Sequence, residues 1–103
     1  MVRTVEVPNA TPPAPGSAIR VVADGRVVAI FNVGGTLHAI DAACTHVEGP
    51  LERGQVAAGV VTCPLHGSQF EIATGKRVRG PAVASVKSYP VRPHGTGLAI
   101  DLD

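Results

Sequence analysis

Aromatic residues and cysteines are scarce in this sequence. Its 103 residues include no tryptophan, one tyrosine, two phenylalanines and two cysteines. Because aromatic residues make up only 3%, valine, isoleucine, leucine and alanine must fill the interior. A domain of this length gains little stability from such a core alone, so a bound metal cluster would help to stabilise it.

Long apolar runs and a charge excess of one sign are also missing. No stretch approaches the roughly 20 apolar residues that span a bilayer, and the first residues lack the apolar region of a secretory signal. The formal net charge is +1, with acidic and basic residues interspersed, so no basic stripe indicates a nucleic acid or a membrane surface as partner. We therefore expect a cytoplasmic protein whose cysteines are ligands.

Both cysteines lie in short clusters that also contain two of the four histidines. Cys44 and His46 belong to the run CTH, Cys63 and His66 belong to the run CPLHG, and sixteen residues separate the two runs. Two thiolates and two imidazoles suit zinc or iron–sulfur chemistry. Structural zinc sites usually pair their cysteines as C-x(2–4)-C, whereas each run here mixes one cysteine with one histidine. A two-iron cluster with both thiolates on one iron and both imidazoles on the other suits this arrangement. A Cys44–Cys63 disulfide would leave the paired histidines unexplained.

The pattern resembles that of the Rieske [2Fe–2S] family. The run CPLHGSQ from Cys63 is followed by Phe70, by a Thr-Gly pair and by Gly80-Pro81-Ala82, as in ferredoxins that serve bacterial ring-hydroxylating oxygenases. The similarity extends over residues 34–100. It implies one [2Fe–2S] cluster per chain, with Cys44 and Cys63 on the inner iron and His46 and His66 on the outer, more exposed iron.

The resemblance also assigns roles to residues beside the ligands. Ser68 stands where high-potential members carry a hydroxyl that donates to a bridging sulfide, and Pro81 belongs to a Gly-Pro segment that covers the cluster. Gly67 and Gly49 are expected to adopt backbone angles that side chains forbid and to let amides approach the sulfides. Phe70 replaces a tyrosine donor, and the loop-clamping disulfide of high-potential members is absent. We therefore expect a reduction potential near the low end of about −150 to +300 mV.

Short strand-like segments alternate with turns rich in the twelve glycines and nine prolines. Asp24-Gly25 and Gly34-Gly35 predict two-residue hairpin turns that join three strands into a meander. No ten-residue stretch has helical periodicity. The predicted strands cover residues 3–7, 19–23, 26–33, 36–41, 51–53, 55–57, 59–62, 69–72, 83–91 and 98–102.

These elements predict an all-β fold, a β-sandwich or partly open barrel. The resemblance implies that it is a Rieske-type fold of antiparallel sheets with a small cluster-binding lobe. We expect one domain over residues 1–103, with cluster-binding loops at residues 42–50 and 63–68 and a covering loop at residues 79–82. Around the ligands we expect an apolar contact patch of Val47, Leu65 and Pro81 with a rim of charged residues: Glu48, Glu52 and Arg53.

The resemblance implies an electron carrier and not an enzyme. The chain would pass single electrons from a flavin-containing NAD(P)H-dependent reductase to a terminal ring-hydroxylating oxygenase in aromatic hydrocarbon catabolism, as a monomer. Two alternatives are the Rieske-like small subunit of an assimilatory nitrite reductase and a zinc-binding module. His38 and His94 with a carboxylate such as Asp41 could form a mononuclear iron triad, but 103 residues leave no space for a substrate cavity.

Overall fold

The computed structural model describes residues 3–44, 49–65 and 67–102. These residues form three antiparallel sheets and one short 3₁₀ helix, Leu51–Arg53, so the all-β prediction is confirmed. No helix in this part of the chain has the length and apolar character needed to cross a bilayer. The strands are β1 Arg3–Val7, β2 Ala18–Ala23, β3 Arg26–Val33, β4 Thr36–Asp41, β5 Gln55–Ala57, β6 Val60–Thr62, β7 Gln69–Glu71, β8 Arg77–Arg79, β9 Ser88–Tyr89, β10 Val91–His94 and β11 Gly97–Leu102.

The central sheet contains the predicted meander, in the order β2-β3-β4-β9. Asp24 and Gly25 have φ angles of 51° and 81°, and Gly34 and Gly35 have φ angles of 61° and 96°, as tight hairpin turns require. Strand β3 is buried along its middle, from Val28 to Phe31. Since successive side chains of a strand point to opposite faces, this strand supplies two separate cores.

The two cores connect the central sheet to the other two sheets. Val28 and Ile30 pack with Leu98, Ile100 and other residues of the sheet β1-β11-β10. On the opposite face, Ala29 and Phe31 pack with a group that follows β4 in the chain: Cys44, Leu51, Val61, Cys63, Phe70, Ile72, Ala82 and Val86. This second core ties the small sheet β5-β6-β7-β8 and both cysteines to the scaffold.

Two of the predicted strands, residues 51–53 and 83–91, are wrong. Leu51–Arg53 is a 3₁₀ helix with Leu51 buried, because the amides of Arg53 and Gly54 bond to carbonyls three residues back. Residues 83–91 do not form one half-buried strand: Val83 is 92% exposed, and only Val86 is buried before Tyr89. The amide of Val86 donates to the carbonyl of Gly75, which lies in a turn. The chain around Val86 is therefore held by a turn and not by pairing with a strand.

Smaller differences concern the edges of elements. Strand β8, Arg77–Arg79, was not predicted; it pairs with β7 through an irregular register. His94 is the last residue of β10 and pairs with Gly97, so only two residues lie between β10 and β11.

Candidate metal centre

The two cysteines occupy equivalent places in two hairpin-like loops. Cys44 follows β4, and its amide donates to the Gly49 carbonyl at 3.1 Å. Below it, Ala43 pairs with Pro50 in an isolated β-bridge. Cys63 follows β6, and its amide donates to the Ser68 carbonyl at 2.7 Å. In each loop the cysteine amide thus forms the hydrogen bond that closes the loop. The backbone that carries each thiol is therefore fixed in position.

The side chains of Cys44 and Cys63 meet in the second core. Both are buried, with exposures of 2% and 1%, and neither forms a disulfide. Burial raises the pKa of the Cys63 thiol, a hydrogen bond with the Leu65 backbone lowers it, and the hydrogen-bonded Cys44 thiol raises it again. A cation between the two sulfurs would favour both thiolates.

Gly49 makes room for this pair. A Cβ atom on Gly49 would lie 2.7 Å from the Cys63 Sγ and 3.4 Å from Leu65 Cδ1, so the first loop approaches the second loop too closely for a side chain. The backbone of Gly49 is not in the positive-φ region, so the expected conformational reason is wrong and clearance is the actual one. Gly67, in contrast, has φ = 79°, as expected.

Ser68 joins the second loop to the segment after β8. Its side chain is fully buried, and its Oγ accepts a hydrogen bond from the Ala82 amide at 2.9 Å. The expected role of Ser68 is donation to a sulfide. The structure shows its hydroxyl oxygen as an acceptor from the Ala82 amide, a bond that does not involve the hydroxyl proton. Through Ala82, the exposed Pro81 is held beside the second loop.

The two predicted imidazole ligands, His46 and His66, lie outside the described residues, as do Val47 and Glu48 of the expected contact patch. Within residues 3–44, 49–65 and 67–102, no three potential ligand side chains gather at one point. The thiol pair is therefore the part of the donor set that the structure describes.

The alternative iron triad is wrong. His94 lies in the sheet β1-β11-β10, with its Nε2 2.8 Å from Glu6 Oε1. His38 lies in β4 of the central sheet, paired with Phe31. Asp41 is engaged elsewhere, because its carboxylate accepts hydrogen bonds from the Tyr89 hydroxyl and the Lys87 amide. These three residues do not converge on one site.

Glu52 also differs from the expectation of an exposed rim residue. Its side chain is only 10% exposed and lies 3.7 Å from Arg20 Nη1 of β2. The Glu52 Oε1 atom is buried and accepts no hydrogen bond from the described residues. Glu52 therefore faces the central sheet, whereas Arg53 and Leu65 are exposed as expected.

Two buried thiols at the starts of adjoining loops in an all-β protein are a donor pair of the kind that binds zinc or an iron–sulfur cluster as thiolates. Residues 4–90 match the family model of the Rieske [2Fe–2S] domain. The chain belongs to the Rieske [2Fe–2S] family, and its cofactor is a [2Fe–2S] cluster.

Ferredoxins of dioxygenase systems are among the similar proteins. The chain is 41% identical over 88 residues to the biphenyl dioxygenase ferredoxin subunit of Pseudomonas sp. (strain KKS102), covering 84% of this chain and 81% of that protein. It superimposes on the ferredoxin of carbazole 1,9a-dioxygenase from Nocardioides aromaticivorans IC177 with a TM-score of 0.83 and 31% identity, covering 93% of this chain and 96% of the other. A ferredoxin chain matches with a TM-score of 0.81 and 26% identity, covering 94% of this chain and 91% of its own length. That structure is a complex of reduced oxygenase and oxidized ferredoxin in carbazole 1,9a-dioxygenase.

Proposed function

We propose that this chain is a one-electron carrier that takes electrons from a flavin-containing NAD(P)H-dependent reductase and passes them to a terminal ring-hydroxylating oxygenase. The observation that carries this proposal is the buried thiol pair of Cys44 and Cys63 in a chain whose relatives are ferredoxin components of dioxygenase systems. The chain has no substrate of its own in this account, and the donor and acceptor proteins carry the remaining chemistry.

We assign Cys44 and Cys63 to one iron and His46 and His66 to the other. When bound, the cluster supplies a site at which a single electron is added and removed. Neutral imidazoles in place of two thiolates make the site less negative, which raises the reduction potential above that of an all-cysteine cluster. Residues 42–50 and 63–68 are the proposed binding loops, residues 79–82 are the proposed cover, and the whole chain is proposed to be one domain.

The surrounding residues have a protective role in this proposal. Phe70, Ala82 and Leu51 are buried in the same core as the two cysteines, and they exclude water from the thiolate side. Phe70 carries no hydroxyl, so it cannot donate to a cysteine sulfur, which favours a potential toward the low end of the family's range.

Reconstitution tests the proposed function. With NADH, a flavin-containing reductase and a candidate oxygenase, product formation should require this protein and should increase with its concentration until another component limits the rate. Oxygenase turnover that never depends on the protein would contradict the carrier role.

A stable stoichiometric complex with a large nitrite-reducing chain would favour the nitrite reductase subunit, and colourless zinc-loaded protein would favour the zinc module. Because the proposed reductase oxidises NAD(P)H, we place the carrier beside it in the cytoplasm. We also propose that the carrier is a monomer.

A further inference from the structure

Positive charge is concentrated in the segment that contains the second cysteine loop and the covering segment. Five of the nine lysine and arginine residues lie between residues 53 and 87, although the net charge of the whole chain is only +1. Arg53, Arg77 and Arg79 are exposed, and none of them forms a salt bridge within the described residues. The Glu52 side chain is only 10% exposed and faces Arg20 of the central sheet. Between residues 53 and 87 the sequence has one acidic residue, the exposed Glu71, against five basic ones.

Two of these arginines adjoin the loops around the metal centre. The Arg77 Nη1 atom lies 3.9 Å from the position that a Cβ on Gly80 would occupy, so this guanidinium lies beside the covering segment. Arg79 pairs with Gln69, the residue that follows Ser68. The Arg77 guanidinium therefore lies beside the covering segment, and Arg79 stands in β8 opposite the residue that follows the second cysteine loop.

Exposed apolar side chains lie on the same two segments. Leu65 is 47% exposed, Val83 is 92% exposed, and Pro81 is also exposed. The hydrogen bond from the Ala82 amide to Ser68 Oγ, at 2.9 Å, holds these segments together. We call Leu65, Pro81 and Val83, with the neighbouring Arg77 and Arg79, the tip surface. Large apolar side chains exposed to this extent and surrounded by charged residues are typical of a protein contact site.

We propose that the tip surface docks an acidic surface of the electron-transfer partner, in which aspartate and glutamate side chains surround a small apolar centre. This inference rests on the proposed function and specifies the chemistry of the partner. Arginine matches carboxylate geometry, and complementary charge accelerates association without requiring high affinity. The small apolar centre suits an electron-transfer encounter, which uses a limited interface and dissociates readily.

Small redox reagents test the charge of the tip surface without any partner protein. The reduced, cluster-loaded protein is mixed in a stopped-flow instrument with the anion ferricyanide, which becomes ferrocyanide on accepting one electron, or with the cation tris(phenanthroline)cobalt(III). Rising ionic strength should slow oxidation by the anion and accelerate oxidation by the cation, because salt screens exposed charges. The substitutions Arg77→Glu and Arg79→Glu together should slow the anion reaction about tenfold at low salt.

A matched variant separates local charge from net charge. Arg3→Glu with Arg92→Glu changes the net charge equally but on β1 and β10. This control should alter the ferricyanide rate much less than the Arg77 and Arg79 pair, while each variant keeps the visible spectrum of the cluster. Equal effects of the two pairs, or no effect of the Arg77 and Arg79 pair, would overturn the proposal. The assay needs only a reducible cluster, so a failed oxygenase reconstitution would not affect its result.

Discussion

The hydroxyl of Tyr89 donates a hydrogen bond to Asp41 Oδ1 at 2.5 Å and accepts one from Arg26 Nη1 at 3.0 Å. Asp41 ends β4 immediately before the first cysteine loop, and Tyr89 lies in β9, where the chain returns from the covering segment. The Lys87 amide donates to the other carboxylate oxygen at 3.2 Å. Asp41 and Tyr89 therefore connect the bases of two segments around the metal centre.

Removing the Tyr89 hydroxyl should destabilise the fold. Tyr89→Phe leaves the partly buried Asp41 carboxylate without its strongest donor, so we expect a loss of about 1–3 kcal/mol in the free energy of unfolding. Denaturant unfolding of the cluster-loaded protein measures this loss. The control is Thr4→Val, which removes an exposed hydroxyl bond to Asp101 and should cost about 0.5 kcal/mol or less. If Tyr89→Phe and Thr4→Val lost the same free energy of unfolding, the prediction that the Tyr89 bond is the stronger contributor would be wrong.

The same hydroxyl predicts how stability changes at high pH. Burial, followed by the hydrogen bond to Asp41, raises the pKa of Tyr89 to about 12, above the value of about 10 in an unfolded chain. The protonated phenol thus stabilises the fold fully below about pH 10, and this contribution is lost as pH rises toward 12. Tyr89 is the only tyrosine, so phenolate absorbance reports it alone. Ionisation of the folded protein near pH 10 would contradict the prediction, and the stability of Tyr89→Phe should lack this loss.

A methyl group on Gly49 should prevent the two cysteine loops from closing around the cluster. Because the new Cβ would lie 2.7 Å from Cys63 Sγ, we expect Gly49→Ala to lose its cluster about 10- to 100-fold faster than the unmodified protein. Iron content and visible absorbance over time measure this loss. Gly80→Ala is the control, since its Cβ would meet no atom within 3.5 Å. If both variants retained the cluster equally well, clearance at Gly49 would be irrelevant.

The bond between Ser68 and Ala82 should hold the covering segment in place. Ser68→Ala leaves the buried Ala82 amide without an acceptor, at a cost of about 1–3 kcal/mol. We expect faster hydrogen exchange at the Ala82 amide and faster cluster loss. Ser85→Ala removes an equivalent bond from the Arg77 amide, but at an exposed site, and should have little effect. Unchanged exchange at Ala82 in Ser68→Ala would contradict the role assigned to this hydroxyl.

Local chemistry explains which parts of the fold the sequence predicts. Asp24-Gly25 and Gly34-Gly35 specify turns by backbone conformation alone, so the meander is predicted correctly. The alternation in residues 83–91 is misleading, because Val86 docks on a turn while Val83 points into solvent. Leu51 is apolar because it fills the second core, which a strand or a 3₁₀ helix satisfies equally well.

At the metal centre, the sequence predicts which residue types are used but not how closely they approach one another. Two cysteines and two histidines in mixed pairs indicate the cluster from chemistry alone. The clearance role of Gly49 depends on how closely one loop approaches Cys63, a distance that no sequence pattern encodes. Likewise, Glu52 looks like an exposed rim residue until the 3₁₀ helix turns it toward Arg20.

Hyperfine spectroscopy tests the four proposed ligands directly. Protein with isotopically labelled histidine nitrogen is reduced with dithionite, and nitrogen couplings are read from its EPR signal. We predict a rhombic signal coupled to two histidine nitrogens, unchanged in His38→Ala with His94→Ala. In His46→Cys with His66→Cys the couplings should vanish and the potential should fall toward about −400 mV. A signal without histidine coupling, or couplings that disappear with His38 and His94, would contradict the account.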